Sequence, residues 1–160
     1  MAFQLLRAMQ QMHSVGVRHG DIKSENVLLT TWNWVFVSDL AFYKPTYLPA
    51  NNPSLFNLFF ENKNRKVCHL APERFYSTSN AKNADESVTE QMDIFAAGCV
   101  IAEIYLGGEH VLFDLPSLLA YREGLYDPSE VINKIPNEGV RQLVRHMTQL
   151  EPSERWSAEK

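Results

Sequence analysis

Apolar residues in the first fourteen positions of the chain recur at the spacing of an amphipathic helix. They fall at i, i+3, i+4 and i+7, which places them on one helix face. They are Ala2, Leu5, Leu6, Met9 and Met12. Gly16 follows the last of them and favours the end of a helix. The pattern therefore predicts a helix over residues 1–15.

Two short runs of β-forming residues come next. Val27–Leu29 and Trp34–Val37 are separated by the stretch TTWN, an arrangement typical of two strands joined by a tight connection. We therefore expect a β-hairpin. Residues 17–38 then form one unit, in which a loop leads from the first helix into that hairpin.

Residues 39–67 lack a steady hydrophobic period, which predicts a long functional loop. The loop contains a cluster of large apolar residues, namely Leu55, Phe56, Leu58, Phe59 and Phe60. Apolar patches of this size either pack on the fold itself or meet a partner, and the sequence leaves both open. Further on, the polar stretch STSNAKNADES, which begins at Ser77, is typical of a solvated surface insertion.

The second half of the chain is rich in helical patterns. The segment Gln91–Leu106 is apolar around most of its circumference, so as a helix it has to be surrounded by protein. Leu115–Arg122 and Val140–Leu150 also show helical periodicity, within a helical region over residues 115–160. These elements predict an α+β fold that is mainly α, with a small β-hairpin and a central buried helix at 91–106.

Composition and charge narrow the function classes. The chain has 160 residues, 45% of them hydrophobic, which suits one domain with an ordinary core. Its formal net charge of −4 gives no basic field, so we expect no nucleic-acid partner. Cys68 and Cys99 lack disulfide or metal-ligand spacing and favour a reducing, cytosolic setting. No apolar run reaches the roughly 18 residues that a membrane span needs.

Four polar residues provide the groups that phosphoryl transfer requires. That chemistry needs a carboxylate to orient the attacking hydroxyl, a cation near the phosphoryl oxygens, and oxygen ligands for Mg²⁺. Asp21 supplies the carboxylate and Lys23 the cation, while Asn26 and Asp39 supply the oxygen ligands. Asp21 and Asn26 flank one loop and Asp39 follows the second predicted strand, so the hairpin brings all four together.

Three ordered motifs resemble the signature set of eukaryotic protein kinases, which consists of H-R-D, D-F-G and A-P-E. In this chain they read His19-Gly20-Asp21 with Lys23 and Asn26, Asp39-Leu40-Ala41, and Ala71-Pro72-Glu73. Asp93 and Gly98 resemble the start of the central helix of a kinase C-lobe, and Arg155 resembles the arginine that pairs with the A-P-E glutamate. The resemblance covers essentially the whole chain.

The resemblance implies a protein-kinase C-lobe in which Asp21 and Lys23 are catalytic. It also implies that Asn26 and Asp39 hold Mg²⁺ together with ATP or another purine nucleotide, and that residues 39–73 form the activation segment. Structural roles are implied for His19, Leu40, Glu73, Asp93 and Arg155. Of these, the A-P-E glutamate and its arginine are expected to form a largely buried ion pair. The glycine-rich loop and lysine of a kinase N-lobe have no counterpart in the sequence, so we expect the isolated chain not to catalyse transfer.

Three longer stretches resemble one family within the kinases. HGDIKSENVLL, VSDLAFYKPTYLP and CHLAPERFY are similar to the kinase-like regulatory subunits of class III phosphatidylinositol 3-kinase complexes, a vacuolar protein-sorting family. This resemblance implies a serine/threonine-kinase-type subunit that binds the lipid-kinase catalytic subunit and its autophagy and endosomal co-subunits. It also implies a place on the cytosolic face of endosomes and autophagic membranes, with membrane contact indirect or made by parts absent from this chain.

Two departures from the kinase pattern leave the activity open. Gly20 replaces the arginine of H-R-D, which in many kinases binds a phosphorylated activation loop, and Ala41 replaces the glycine of D-F-G. The candidate phosphorylation sites of this loop are Tyr43, Thr46, Tyr47 and Ser54. A pseudokinase scaffold that binds nucleotide without turnover is the main alternative to an active kinase. A small-molecule phosphotransferase shares the H-G-D loop, but such enzymes lack a motif like LAPER and its distant arginine partner.

Overall fold

Helices and a few short strands make up the structure, a computed structural model that describes residues 1–61, 65–77 and 87–158. Residues 78–86, the greater part of the STSNAKNADES stretch, lie outside the described residues. The helices are α1 (Ala2–Ser14), α2 (Ser54–Phe59), α3 (Glu90–Tyr105), α4 (Leu115–Arg122), α5 (Ser129–Ile132) and α6 (Glu138–Met147). The strands are β1 (Val27–Leu29), β2 (Val35–Val37), β3 (Leu48–Pro49) and β4 (Phe75–Tyr76). No helix within the described ranges is long and apolar enough to cross a membrane.

Helix α3 is the central element of the core. Every residue from Met92 to Glu103 is buried, as expected for a segment that is apolar around its circumference. Thr89 caps the N-terminus of the helix. Its hydroxyl accepts a hydrogen bond from the backbone N–H of Met92 at 3.3 Å and so satisfies one of the first amide groups, which have no partner within the helix. Helices α1 and α6 both pack on α3, which fixes the position of Asp93 in its first turn.

Helices α3 and α6 approach each other closely at Gly98. A Cβ built on this glycine would lie 2.8 Å from the Cβ of Met147 and 2.9 Å from the Cγ2 of Thr148. Both neighbours are themselves almost fully buried, so neither side chain moves aside without disturbing a close-packed core. Gly98 therefore sets the distance between the two helices.

Strands β1 and β2 form the predicted hairpin and pair antiparallel, with Val27 opposite Val37. Asn33 in the connection has a φ of 62°, a conformation that asparagine tolerates better than most residues. Gln4 of α1 holds this end of the hairpin, because its side chain donates to the Asn33 carbonyl oxygen at 2.9 Å and accepts from the Val35 N–H at 2.9 Å. Helix α1 therefore fixes where the hairpin lies.

The hydrophobic pattern does not predict the second sheet. Strands β3 and β4 pair in parallel, with Leu48 opposite Phe75 and Pro49 opposite Tyr76. Strands of two residues contain too little alternation to be recognised in a sequence. The pair joins the chain before and after residues 50–74, so the two ends of this region lie side by side.

Helix α2 lies within the long loop predicted over residues 39–67. It has six residues, too few for a periodic signal. Phe56 and Phe60 are each only 5% exposed, and their ring centroids lie 6.4 Å apart, whereas Leu58 is 72% exposed. Within the apolar cluster Phe56 and Phe60 therefore pack on the fold itself, whereas Leu55 and Leu58 lie at the surface.

The C-terminal helices follow the prediction with some shifts of their bounds. Helix α4 has the predicted bounds, whereas α6 begins earlier than predicted, because the side chain of Asn137 accepts a hydrogen bond from the Val140 N–H at 3.1 Å and caps the helix there. It also ends earlier, at Met147. Helix α5, with four residues, is too short to be predicted from its period.

Replacing Gly98 with alanine is expected to destabilise the protein by about 1–3 kcal/mol, the usual cost of overpacking a core. The added methyl group would overlap the side chains of Met147 and Thr148. Urea and thermal unfolding of the purified protein measure this change. Gly139→Ala is the control, because Gly139 lies exposed on α6. An unchanged free energy of unfolding in the Gly98 variant would contradict the close packing of the two helices.

Candidate active site

The carboxylate of Asp21 is the point at which three other side chains meet. Asp21 is 4% exposed, and its Oδ2 lies 2.6 Å from the Nζ of Lys44 and 3.1 Å from the Nζ of Lys23. The Nδ2 of Asn26 lies 3.4 Å from the same oxygen and donates to the Asp21 carbonyl oxygen at 2.9 Å. The structure thus brings together three of the predicted site residues and adds Lys44.

Lys44 is a residue that sequence reasoning missed. A single lysine in an irregular loop belongs to no periodic pattern, and although the stretch VSDLAFYKPTYLP contains Lys44, the kinase motifs assign it no role. In the fold its ammonium group lies against Asp21 and also 5.1 Å from the centroid of the Phe60 ring, within the range of a cation–π contact. Only the folded arrangement reveals its proximity to the site.

Asp93, in the first turn of α3, holds the backbone of the loop that bears Asp21. Its Oδ2 accepts a hydrogen bond from the His19 N–H at 2.7 Å, and its Oδ1 accepts one from the Gly20 N–H at 2.9 Å. The Nε2 of His13 in α1 lies 3.2 Å from Oδ2. Because Asp93 is buried, these partners offset the cost of removing its carboxylate from water. One side chain thus joins α1, α3 and the loop.

His19 is fully buried, and both of its ring nitrogens have partners. Nε2 donates to the Ser38 carbonyl oxygen at 2.8 Å, and Nδ1 accepts from the Asp21 N–H at 3.2 Å. This pair of contacts places the ring proton on Nε2. The ring links the loop to the end of β2, a position that supports a structural role rather than that of a general base. Leu40, two residues after Ser38, is half-buried.

Asn26 and Asp39 lie at the same end of the hairpin. Asn26 precedes β1 and Asp39 follows β2, and the Ser38 N–H donates to the Asn26 carbonyl oxygen at 2.9 Å between them. The Nδ2 of Asn26 is engaged with Asp21, which leaves its amide oxygen for a ligand, and Asp39 is exposed. Amide and carboxylate oxygens are hard donors that suit Mg²⁺, whose remaining ligands are commonly water and phosphate. The residues present therefore fit the predicted metal.

Gly20 and Ala41, the two departures from the kinase pattern, are neighbours in the fold. Gly20 has a φ of +78°, and a Cβ there would lie 3.1 Å from the Cγ2 of Val88 and 3.9 Å from the Cβ of Ala41. Ala41 is buried, and its N–H donates to the His19 carbonyl oxygen at 2.8 Å. Backbone conformation therefore disfavours a side chain at position 20, a reason for glycine that the sequence did not reveal.

Arg74 is a second cation that sequence reasoning missed. It directly follows Glu73, is 3% exposed, and donates hydrogen bonds to three backbone carbonyl oxygens, those of Gly20, Pro45 and Thr46. Burial lowers its pKa to about 10, because a charged group is less stable away from water. At neutral pH the guanidinium is still charged.

Glu73 and Arg155 form the predicted ion pair. The Nη1 of Arg155 lies 2.6 Å from Oε1 of Glu73, and its Nη2 lies 2.8 Å from Oε2, so the pair is bidentate. Arg155 also donates to the carbonyl oxygens of Gln149, Gln91 and Leu150. The Ala71-Pro72-Glu73 motif is thereby joined to the region that follows α6.

Glu103, near the end of α3, joins the loop after Asp21 to residues 65–69. Its carboxylate accepts hydrogen bonds from Ser24 and Arg65, and the Nε2 of His69 lies 3.1 Å away. Burial alone would raise the pKa of Glu103, but hydrogen bonds from His69 and Ser24 outweigh it and lower the pKa to about 2. The carboxylate is therefore ionised throughout the physiological range.

The two cysteines are buried free thiols. Burial raises the pKa of Cys68 to about 12 and that of Cys99 well above its ordinary value. Both thiols are therefore protonated at neutral pH and act as small apolar residues in the core.

Comparison with protein families is consistent with this site, because a sequence model of the protein kinase domain matches residues 1–160. The chain belongs to the protein kinase family. It is similar to the serine/threonine-protein kinase VPS15 of Arabidopsis thaliana, with 52% identity over 99% of this chain and 11% of the relative. A probable vps15 kinase of Dictyostelium discoideum is 48% identical, over 99% of this chain and 8% of the relative.

VPS15 of Saccharomyces cerevisiae is 43% identical, over 99% of this chain and 11% of the relative. The kinase family resemblance expected from the motifs is thereby confirmed. The chain spans about a tenth of the length of these relatives.

Replacing Arg155 with methionine is expected to destabilise this kinase domain by about 3 kcal/mol, because Glu73 then loses a partly buried partner. Urea unfolding of the purified protein measures the change. The control is a double-mutant cycle with Glu73→Leu, which separates the ion pair from the other hydrogen bonds of Arg155. We expect the free energy of unfolding to fall less in the double variant than the sum of its falls in the two single variants. Strictly additive falls would contradict a coupled pair.

The Glu103 contacts predict a pH dependence of stability. Because the folded-state pKa of about 2 lies below the ordinary value of 4.5, Glu103 contributes stability above pH 4.5 that is lost as the pH falls toward 2. Unfolding free energies measured between pH 5 and pH 2 should therefore fall less steeply in Glu103→Gln than in the wild type. Glu109→Gln, an exposed carboxylate beyond the end of α3, is the control. Parallel curves for the wild type and the Glu103 variant would contradict the assignment.

Proposed function

We propose that the intact protein carrying this chain is a serine/threonine-protein-kinase-type enzyme, which transfers a phosphoryl group from ATP to protein hydroxyls. The observation that carries the proposal is the convergence of Lys23, Lys44 and Asn26 on the Asp21 carboxylate. An oriented carboxylate with cations beside it is what phosphoryl transfer requires. The printed names of the relatives, which read serine/threonine-protein kinase, support this class.

Each side chain has a defined task in this proposal. Asp21 orients the attacking hydroxyl and accepts its proton, and Lys23 stabilises the charge that develops on the phosphoryl oxygens. Lys44 fixes the orientation of the Asp21 carboxylate. Asn26 and Asp39 would hold Mg²⁺ with ATP or another purine nucleotide, and Mg²⁺ would there neutralise phosphate charge.

We assign the chain to the C-lobe of the kinase fold. The catalytic loop and hairpin are residues 17–38, and the activation segment is residues 39–73. The buried central helix α3 and the pair of Glu73 with Arg155 support this assignment, and they disfavour a small-molecule phosphotransferase, which lacks that pair. A complete nucleotide site also uses an N-lobe, so we expect turnover in the intact protein and not in the isolated chain.

We further propose that the intact protein acts as a regulatory subunit of a class III phosphatidylinositol 3-kinase complex, in autophagy and in endosomal and vacuolar sorting. Its partners are then the lipid-kinase catalytic subunit and its co-subunits, on the cytosolic face of endosomal and autophagic membranes. Support comes from identities of 52% and 43% with VPS15 kinases over 99% of the chain. Membrane contact is then indirect or made by other parts of the protein.

A pseudokinase scaffold is the second candidate function. Two lysine ammonium groups lie on the same oxygen of Asp21, so that oxygen is already occupied by donors and is less open to a substrate hydroxyl. The buried methyl group of Ala41, in place of the glycine of D-F-G, also narrows the conformations open to that motif. A scaffold of this type binds nucleotide without transferring phosphate.

Replacing Asp21 with alanine is expected to lower phosphoryl transfer by the full-length protein about 10²–10⁴-fold, the range for the loss of a general base. Transfer from radiolabelled ATP to a generic protein substrate and to the protein itself measures the effect. Glu109→Ala, an exposed acidic residue beyond α3, is the matched control. Equal transfer by the wild type and the Asp21 variant, or none by either, would rule out the enzyme. A thermal shift with nucleotide would then favour the scaffold.

A further inference from the structure

Arg74 connects two segments that are distant in the sequence. Its Nη1 donates to the Gly20 carbonyl oxygen at 2.7 Å, its Nε to that of Thr46 at 2.8 Å, and its Nη2 to that of Pro45 at 3.0 Å. One planar guanidinium thereby binds the catalytic loop on one side and the activation segment on the other. Hydrogen bonds from a charged donor are stronger than those between neutral groups, so these three hydrogen bonds hold the two segments together strongly.

These three carbonyl groups flank both ends of the ion pair between Asp21 and Lys44. The Gly20 carbonyl belongs to the peptide group that leads into Asp21, and the other two belong to the residues that directly follow Lys44. Arg74 therefore fixes the backbone next to each partner of the 2.6 Å contact between Asp21 Oδ2 and Lys44 Nζ. The position of the Asp21 carboxylate depends on the backbone that precedes Asp21 and on the backbone that follows Lys44.

Arg74 makes these contacts from inside the fold. Its guanidinium carbon lies 4.9 Å from the centroid of the Phe60 ring, where the ring face favours a cation. The group is charged at every physiological pH, so the connection forms without any modification of the chain.

The conformation that Arg74 holds also buries two of the candidate phosphorylation sites. Thr46 and Tyr47 are each only 7% exposed, so another kinase cannot reach their hydroxyls while the segment is in place. At the position where many kinases use an arginine to bind a phosphorylated loop, this chain has Gly20 in a left-handed conformation. The three Arg74 contacts are made to backbone carbonyl oxygens, so none of them requires a phosphate group.

We infer that Arg74 is a positioning residue that orders the activation segment on the catalytic loop without phosphorylation. In kinases that are activated by phosphorylation, an arginine orders this segment only when it binds a phosphorylated side chain. Arg74 orders the segment permanently, because it binds backbone carbonyl groups. The kinetic consequence rests on the proposed transfer activity, whereas the ordering of the segment does not.

The ordering is tested by hydrogen–deuterium exchange of the full-length protein. We expect Arg74→Met to speed exchange of the backbone amides of residues 42–48, and Arg74→Lys to speed it less, because lysine keeps the charge but not the planar fork of donors. Phosphatase treatment of the wild type should leave exchange in this segment unchanged. Arg141→Met is the control, because Arg141 also donates to a backbone carbonyl oxygen, that of Ile135, but lies on α6.

The kinetic consequence is measured on the same proteins. We expect Arg74→Met to lower kcat by about 10–100-fold, as displacement of a reacting group by about 1 Å does, with the KM for ATP changed less than about twofold. Arg74→Lys should restore part of kcat. If Arg74 served only global stability, both Arg74→Lys and Arg74→Met would lower the thermal unfolding temperature. They would then not lower kcat selectively while leaving KM nearly unchanged.

Two results would overturn the inference. One is unchanged exchange and unchanged kcat in both Arg74 variants. The other is faster exchange in the wild type after phosphatase treatment, which would show that a phosphate group orders the segment. This experiment needs only the wild type, so it remains decisive even if a variant fails to fold. If the wild type transfers no phosphate and Asp21→Ala is the same, the proposed enzyme fails, while the exchange data still decide the role of Arg74.

Discussion

A single buried carboxylate, that of Asp93, determines where the loop that bears Asp21 lies. Its two oxygens accept the backbone N–H groups of His19 and Gly20. A buried carboxylate without donors would be costly, and so would buried N–H groups without acceptors, so each side satisfies the other. Because Asp93 belongs to the most buried helix of the fold, the loop is fixed to the core rather than lying over the surface as most connections do.

The described part of the proposed activation segment, within residues 39–73, is attached to this core by polar contacts more than by secondary structure. Arg74 binds it to the catalytic loop, Glu73 binds it to Arg155, and Glu103 binds it through Arg65 and His69. Each contact joins residues that are far apart in the sequence. The conformation of the segment is therefore specified by tertiary interactions, and local propensity has little influence on it.

The difference between local sequence patterns and tertiary contacts explains what could be predicted from the sequence. Helices α1 and α3 were predicted to within one residue at each end, because their patterns extend over 13 and 16 residues. Asp21, Lys23 and Asn26 could be grouped because they lie close together in one loop. The roles of Lys44 and Arg74 could not, because a single cation shows its role only through contacts that form on folding. The two-residue strands β3 and β4 were missed for the same kind of reason, since their pairing is non-local.

The pairing of β3 with β4 affects how freely the sequence between them can vary. The chain enters and leaves residues 50–74 through one short ladder, so the two ends of this region stay adjacent whatever its length. The entropy cost of closing a loop rises only slowly as residues are added between fixed ends. An insertion next to α2 therefore extends outward and does not displace Lys44, which precedes the ladder. The two ends of residues 50–74 thus share a constant base, whereas Phe56, Phe60 and Cys68 between them pack in the core and limit where the sequence can change.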